Sequence, residues 1–300
     1  MRLKYLLVIF LLFSVFGWYW HLQTLFKINL KTEVLETPNT ASLIVNFLDV
    51  GQGDATLIKF PNNEKMLVDC SIDSRILSAL GRVMSFSEKT IDYLVITHPD
   101  SDHYGGCIDV LNRYNIKNIV YNGLQKSTDP FWQEFWQKIQ TSGAKYLEIN
   151  KPEVWEISSS TIEWLYPDKE LNQINSVLRK KDNNTSLIFK LNYASKSVLF
   201  VGDAENELEQ YLLNNYQAKL TSNILKVGHH GSAGSSGILF LEAVSPEFAV
   251  ISVGKDNTFG HPSLRVLKKL ERLKSKIFRT DLNGDIECKI GREINCTANK

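Results

Sequence analysis

The sequence lacks a dominant charge. Its 34 Lys and Arg stand against 33 Asp and Glu, a formal net charge of +1, so no global basic field advertises a nucleic-acid partner. Between Lys255 and Arg292 ten Lys/Arg face five Asp/Glu; a solvated helix face explains most of this excess and leaves a substrate-facing role open. Cysteine is scarce as well. The four cysteines show none of the CxxC spacing of a structural zinc site. Cys288 and Cys296 flank a Gly-Arg turn and could pair in an oxidising space, whereas Cys70 and Cys107 sit in apolar surroundings and are expected to be buried free thiols. Long apolar runs are also missing, with one exception at the N-terminus, and that run has no small-x-small cleavage site behind it.

In that run Arg2 and Lys4 precede an uncharged stretch from Tyr5 to Phe26, with Trp18, Tyr19 and Trp20 near its outer end. Basic residues before the span and an aromatic belt after it favour an anchor with its N-terminus inside. Residues 1–26 are therefore expected to be a transmembrane anchor, or a secretory signal if cleaved. Both readings put the rest of the chain outside the cytoplasm: membrane-anchored in the first, secreted in the second. Residues 27–42 are polar and read as a tether. Residues 43–300 are long enough for one large α/β domain.

That domain is organised around Ile91 to Cys107. An apolar run around Val95 and Ile96 reads as a buried strand ending before Pro99. His98, Asp100, Asp102 and His103 follow within six residues. A turn rich in Asp, Ser and Pro is ordinary loop chemistry. Two histidines bracketing two aspartates at a strand end would repel one another without a cation, so a metal site is expected here.

The other chemistry-bearing residues also follow strands. Asp49, Gln52 and Asp54 lie in a Gly-rich turn between two strands; Asn183 and Asn184 precede a strand at Leu187; Asp203 ends another, and His229 and His230 end a third. Gly254-Lys255 follows a further strand, and His261 stands just before a helix at Leu264. Adjacent histidines point in different directions, so one of His229 and His230 can face the site while the other packs. Ser232, with nearby amides, could receive a phosphate at a helix start. In the helix FWQEFWQKIQ, Phe131, Phe135 and Trp136 are expected on one packed face, and Asn283-Gly284 is expected to close a hairpin. Strand ends that converge build a single cleft.

HPDSDH (98–103) resembles the HxHxDH signature of the metallo-β-lactamase fold, with Asp100 in place of the second histidine. Together with DVGQGDA (49–55), GDAE (202–205), KVGHHGS (226–232) and GHPS (260–263), it resembles the hydrolase-like domain of ComEC-type competence proteins over about residues 43 to 290. The resemblance implies a four-layer αββα sandwich and a binuclear centre of two divalent metal ions, zinc or manganese. It implies metal ligands at His98, Asp100, Asp102, His103, Asp203 and His261, with Asp203 bridging. Catalytic roles would fall to Asp102, His229, His230 and Lys255, and support of the site to Gln52, Asp54, Asn184 and Ser232. An alternative has His229 as ligand and His261 on the substrate. The wider fold usually supplies a histidine near Asn184; its amide oxygen or a water could take that place, which favours a hard ion such as manganese or magnesium. The implied activity is that of an extracytoplasmic phosphodiesterase acting on DNA. A small or phosphocholine-type substrate and a non-catalytic metal-binding module are the alternatives.

Overall fold

A computed structural model describes residues 42–169 and 182–299, with Trp18 and Leu178. The anchor expected over residues 1–26 and the tether after it fall, apart from Trp18 and Ser42, outside the described residues. Among the described residues no helix is long and apolar enough to cross a membrane.

The first sheet takes β1 (Leu43–Phe47), β2 (Thr56–Lys59), β3 (Lys65–Val68), β4 (Thr90–Val95), β5 (Asn115–Tyr121) and β6 (Lys145–Glu148). The second takes β7 (Glu153–Ile157), β8 (Ser160–Tyr166), β9 (Ile188–Tyr193), β10 (Lys196–Phe200), β11 (Ile224–Lys226), β12 (Phe248–Ile251) and β13 (Lys276–Arg279). The chain then returns to the first sheet with β14 (Ile286–Ile290) and β15 (Ile294–Ala298). The resulting orders are β15-β14-β1-β2-β3-β4-β5-β6 and β13-β12-β11-β10-β9-β8-β7. Each sheet is mixed: β3 to β6 and β10 to β13 run parallel, and the remaining neighbours are antiparallel.

Alternation along the strands produces the layers. Leu43, Val45 and Phe47 point between the sheets, where they meet Trp164, Phe189 and Phe200. Phe200 stacks on Phe189 at 4.6 Å between ring centroids. Leu57, Leu67 and Leu94 face the opposite way, under α1 (Arg75–Val83), α2 (Ser101–Tyr104), α3 (Cys107–Arg113) and α4 (Pro130–Thr141). On the second sheet Leu199, Leu225 and Ala249 are covered by α5 (Asn206–Leu220), α6 (Ile238–Val244) and α7 (Leu264–Arg272). Helix, sheet, sheet and helix are the four layers expected.

Three local expectations are corrected. Cys70 and Cys107 are not free thiols but a disulfide, as are Cys288 and Cys296 across the β14–β15 hairpin. Burial of the first pair in one apolar cluster is what brings the sulfurs together. In α4 the buried residues are Trp132, Phe135 and Ile139, while Phe131 is 72% exposed. Tyr104 meets Trp132 edge-on and Tyr121 packs against it at a tilt, and these rings select that stripe. Asn283-Gly284 closes no hairpin: it ends α8 (Thr280–Asn283) and carries the chain from β13, paired with β12, across to the other sheet.

Candidate metal centre

The ends of β3, β4, β10 and β11 deliver the donors, as expected of parallel strands whose carboxyl ends open on a common cleft. Thr97, just past β4, sets the orientation of the first histidine. Its hydroxyl donates to Asp69 Oδ2 at 2.7 Å, so it accepts from His98 Nδ1 at 3.1 Å. His103 Nδ1 donates to the same carboxylate at 2.7 Å, and His230 Nδ1 donates to the Ser252 carbonyl at 2.9 Å. Each ring is thus locked with Nε2 turned the other way. The Nε2 atoms of His98, His103 and His230 and Oδ1 of Asp203 are all buried and make no hydrogen bond. A buried polar atom without a partner costs about 1–3 kcal/mol. Four of them converging on one space form a set of lone pairs arranged for cations.

Two overlapping triads hold such atoms within 4.8 Å of one another: His98, His103 and Asp203, and Asp102, His103 and His230. Asp54 and Asp69 enter two further groups. Asp69 has both oxygens occupied, by Thr97 and His103, whereas Asp54 gives one oxygen to the buried ammonium of Lys226 at 2.7 Å and keeps Oδ1 without a hydrogen bond. Asp69 backs the ligands.

Electrostatics agree with this reading. Burial opposes charge on His230, yet the carboxylates of Asp203 and Asp54, with Asp102 3.3 Å from Nε2, raise its pKa to about 10. Burial likewise opposes charge on Asp203, but His230 and His103 hold it well below the usual carboxylate range. A cleft that charges its own imidazoles has an excess of negative charge for a cation to meet.

The 200 Å³ pocket over these atoms is lined by Gln52, Asp100, Asp102, Asn183, Asp203, His229, His230, Phe259 and His261. Gln52 Nε2 donates to Asp102 Oδ2 at 3.3 Å. Asp100 places Oδ2 3.5 Å from His98 Nε2, while Lys126 holds its Oδ1 at 2.6 Å and also reaches Asp182. His229 lies against Glu205 (3.5 Å) and Asp203 (3.8 Å). Both histidines of the pair have left-handed backbones, φ 47° and 51°. Such conformations cost about 1–3 kcal/mol each; here they turn the two rings to different parts of the pocket.

Four sequence-based assignments change. The clustered donors include His230 and neither His261 nor His229: the His261 ring stands on the wall, 5.6 Å from His229 and stacked on Phe259. Asn184 does not offer its amide oxygen, which accepts the Glu205 amide at 2.9 Å; its neighbour Asn183 faces the pocket. The Ser232 amide bonds the His229 carbonyl, and the following α-helix starts only at Ile238, so no phosphate seat forms there. Lys255 is exposed and lines an adjoining cavity. Sequence reading missed Asp69, Thr97, Ser252 and Phe259. Only Asp69 left a trace, a carboxylate at a strand end.

The profile of the Metallo-beta-lactamase superfamily matches residues 48–255. The chain belongs to that superfamily. As a member it carries a metallo-hydrolase domain, and the sheets, layers and donor loops above are its scaffold. It is 29% identical to ComE operon protein 3 of Bacillus subtilis strain 168 over 262 residues, covering 81% of this chain and 32% of that protein. It is also 29% identical to Competence protein ComA of Neisseria gonorrhoeae over 248 residues, covering 83% and 32%. The expected likeness to competence proteins is therefore present, although the chain spans about a third of the length of these relatives. Among solved structures, CmlA of Streptomyces venezuelae, a diiron beta-hydroxylase, superposes with a TM-score of 0.54 at 12% identity, over 84% of this chain and 55% of that one.

Proposed function

We propose that this chain is a binuclear, metal-dependent phosphodiesterase acting outside the cytoplasm on DNA. The observation that carries the reading is the convergence of the buried, unpartnered Nε2 atoms of His98, His103 and His230 with Asp203 Oδ1. His98, Asp100, Asp102, His103, Asp203 and His230 would hold two divalent ions, manganese or zinc. When bound, they supply Lewis acidity to a phosphoryl oxygen and acidify water.

The protein's own groups do the rest. Lys126 fixes one oxygen of Asp100 and leaves the other to the pocket. Gln52 orients Asp102. His229, partly exposed and supported by Glu205 and Asn183, is the group placed to protonate the departing alkoxide oxygen. His261 and Phe259 wall off one side. A quaternary ammonium headgroup would call for several aromatic faces around the pocket; apart from its histidines, the lining has Phe259. DNA is favoured by the competence proteins the chain resembles.

Two disulfides within the domain support an oxidising compartment, consistent with an N-terminal anchor that exports it. The test is to strip the full chain with chelator, refill it with manganese or zinc, and offer bis-p-nitrophenyl phosphate, linear DNA and circular DNA. Turnover of the model ester and of DNA is expected. Metal bound without turnover of any of the three would leave a binding module and end the proposal.

A further inference from the structure

The metal pocket adjoins two further cavities. It shares Gln52 and Phe259 with a second cavity of about 360 Å³, which in turn shares Asp49, Gly51 and Arg75 with a third of about 590 Å³. Along this path the chemistry repeats. Phe259 is 66% exposed and stacks on His261 at 6.0 Å with 17° between the planes, so its outer face is available. Lys255, next along, is exposed and forms no ion pair among the described residues. Arg75 is ion-paired with Asp73 through Nε alone, and its terminal nitrogens, which make no hydrogen bond among the described residues, lie over Gly51. Arg82, further on, is neutralised by Asp285. Asp256 and Asp49 also border the strip, so Lys255 and Arg75 alternate with carboxylates as separate cations and form no basic field.

We propose that this strip binds the strand leading into the metal centre, a single-stranded polynucleotide, with one base stacked on Phe259 and successive phosphates met by Lys255 and Arg75. The inference rests on the phosphodiesterase reading and adds to it the form of the substrate. An exposed ring needs an unpaired base with a free face, and separated cations beside it suit a backbone that carries one charge per nucleotide. The metal pocket alone, about 200 Å³, takes little more than the reacting phosphodiester; the two further cavities have no use if the substrate is that small.

The test uses the full chain and fluorescein-labelled oligothymidylates of increasing length, read by anisotropy in chelator so that no turnover occurs. Affinity should rise with length until about 4–8 nucleotides are covered. Phe259→Ala should weaken the longest oligonucleotide about 5- to 100-fold. The double variant Lys255→Gln/Arg75→Gln should make the slope of log K against log salt shallower by about 1.4. Affinity independent of length in the unmodified chain, or both variants binding as tightly as it does with the same salt slope, overturns the proposal. So does equal affinity for a duplex of the same length. Hydrolysis of bis-p-nitrophenyl phosphate by the manganese-loaded chain, run in parallel, reads the phosphodiesterase reading separately: the ester can be cleaved while the strip fails, and the strip can bind while the ester is left intact.

Discussion

Asp69 shows how one side chain sets the chemistry of two others. Its oxygens take the Thr97 amide and hydroxyl and His103 Nδ1 at once, so the His98 and His103 rings are aligned through a single carboxylate. Asp69→Asn keeps the shape but removes the charge and one acceptor. Metal affinity is expected to fall about 10–100-fold, measured by competition with a fluorescent chelator, with the melting temperature of the stripped protein little changed. Glu209 is a different residue-scale case, remote from the centre. It is buried, and it accepts the Ser236 and Gly237 amides at 2.5 and 2.7 Å at the start of α6. Burial, the largest influence, raises its pKa to about 7 from 4.5, against those amides and Lys269. The folded state therefore binds the proton more tightly than the unfolded one. This contribution to stability is complete below about pH 4.5 and is lost as pH rises through about 7. It amounts to roughly 3 kcal/mol at most. Urea midpoints of the wild type relative to Glu209→Gln should fall between pH 5 and 7.5 and then level off.

At the level of elements, the loop after β1 and the segment after β4 are pressed together. Gly53 has φ +102°, and a Cβ there would meet the Asp102 carbonyl at 2.1 Å, while the Asp54 amide bonds that same carbonyl at 3.1 Å. Gly53→Ala should displace Asp102 and reduce bound metal per chain, determined by elemental analysis, because the atom it meets is backbone and cannot rotate away. The Cys70–Cys107 disulfide staples the end of β3, where Asp69 stands, to the start of α3, four residues after His103. Its residues are 37 apart, against 8 for Cys288–Cys296. Chain entropy then gives about 4 and about 2.5 kcal/mol of stabilisation. Denaturation of Cys→Ser pairs should rank in that order, and the loss of the first pair should also lower metal retention.

For the whole molecule, the donors come from both halves: His98, Asp102 and His103 from the first sheet, Asp203 and His230 from the second. Cations there would tie the two sheets together across their open edge. Stripping metal should lower the melting temperature, and refilling with manganese at 100 times its dissociation constant should restore about 2.7 kcal/mol by mass action, seen as a concentration-dependent shift in calorimetry.

The residues that reach the metal centre through a strand end were legible along the chain, because a strand that stops at Pro99 or at Gly202 must present its next few side chains at one edge of a sheet. An α/β domain with sheet layered against helices was legible for the same reason, whereas the four-layer αββα arrangement was implied by the resemblance of HPDSDH and its companion motifs to a known family. Periodicity and local chemistry are properties of neighbours in sequence, and they are enough for that much. Tertiary structure alone decided the rest. The placing of His230, and neither His261 nor His229, among the clustered donors depends on the Ser252 carbonyl, 22 residues away, which fixes its ring. The Cys70–Cys107 bond depends on a shared apolar cluster, the hairpin that Asn283-Gly284 does not form depends on β13 already having a partner in β12, and the backing role of Asp69 depends on His103, 34 residues away. Hydrogen bonds and packing join atoms distant along the chain, and the direction in which a side chain points is set by those partners and not by its neighbours in sequence.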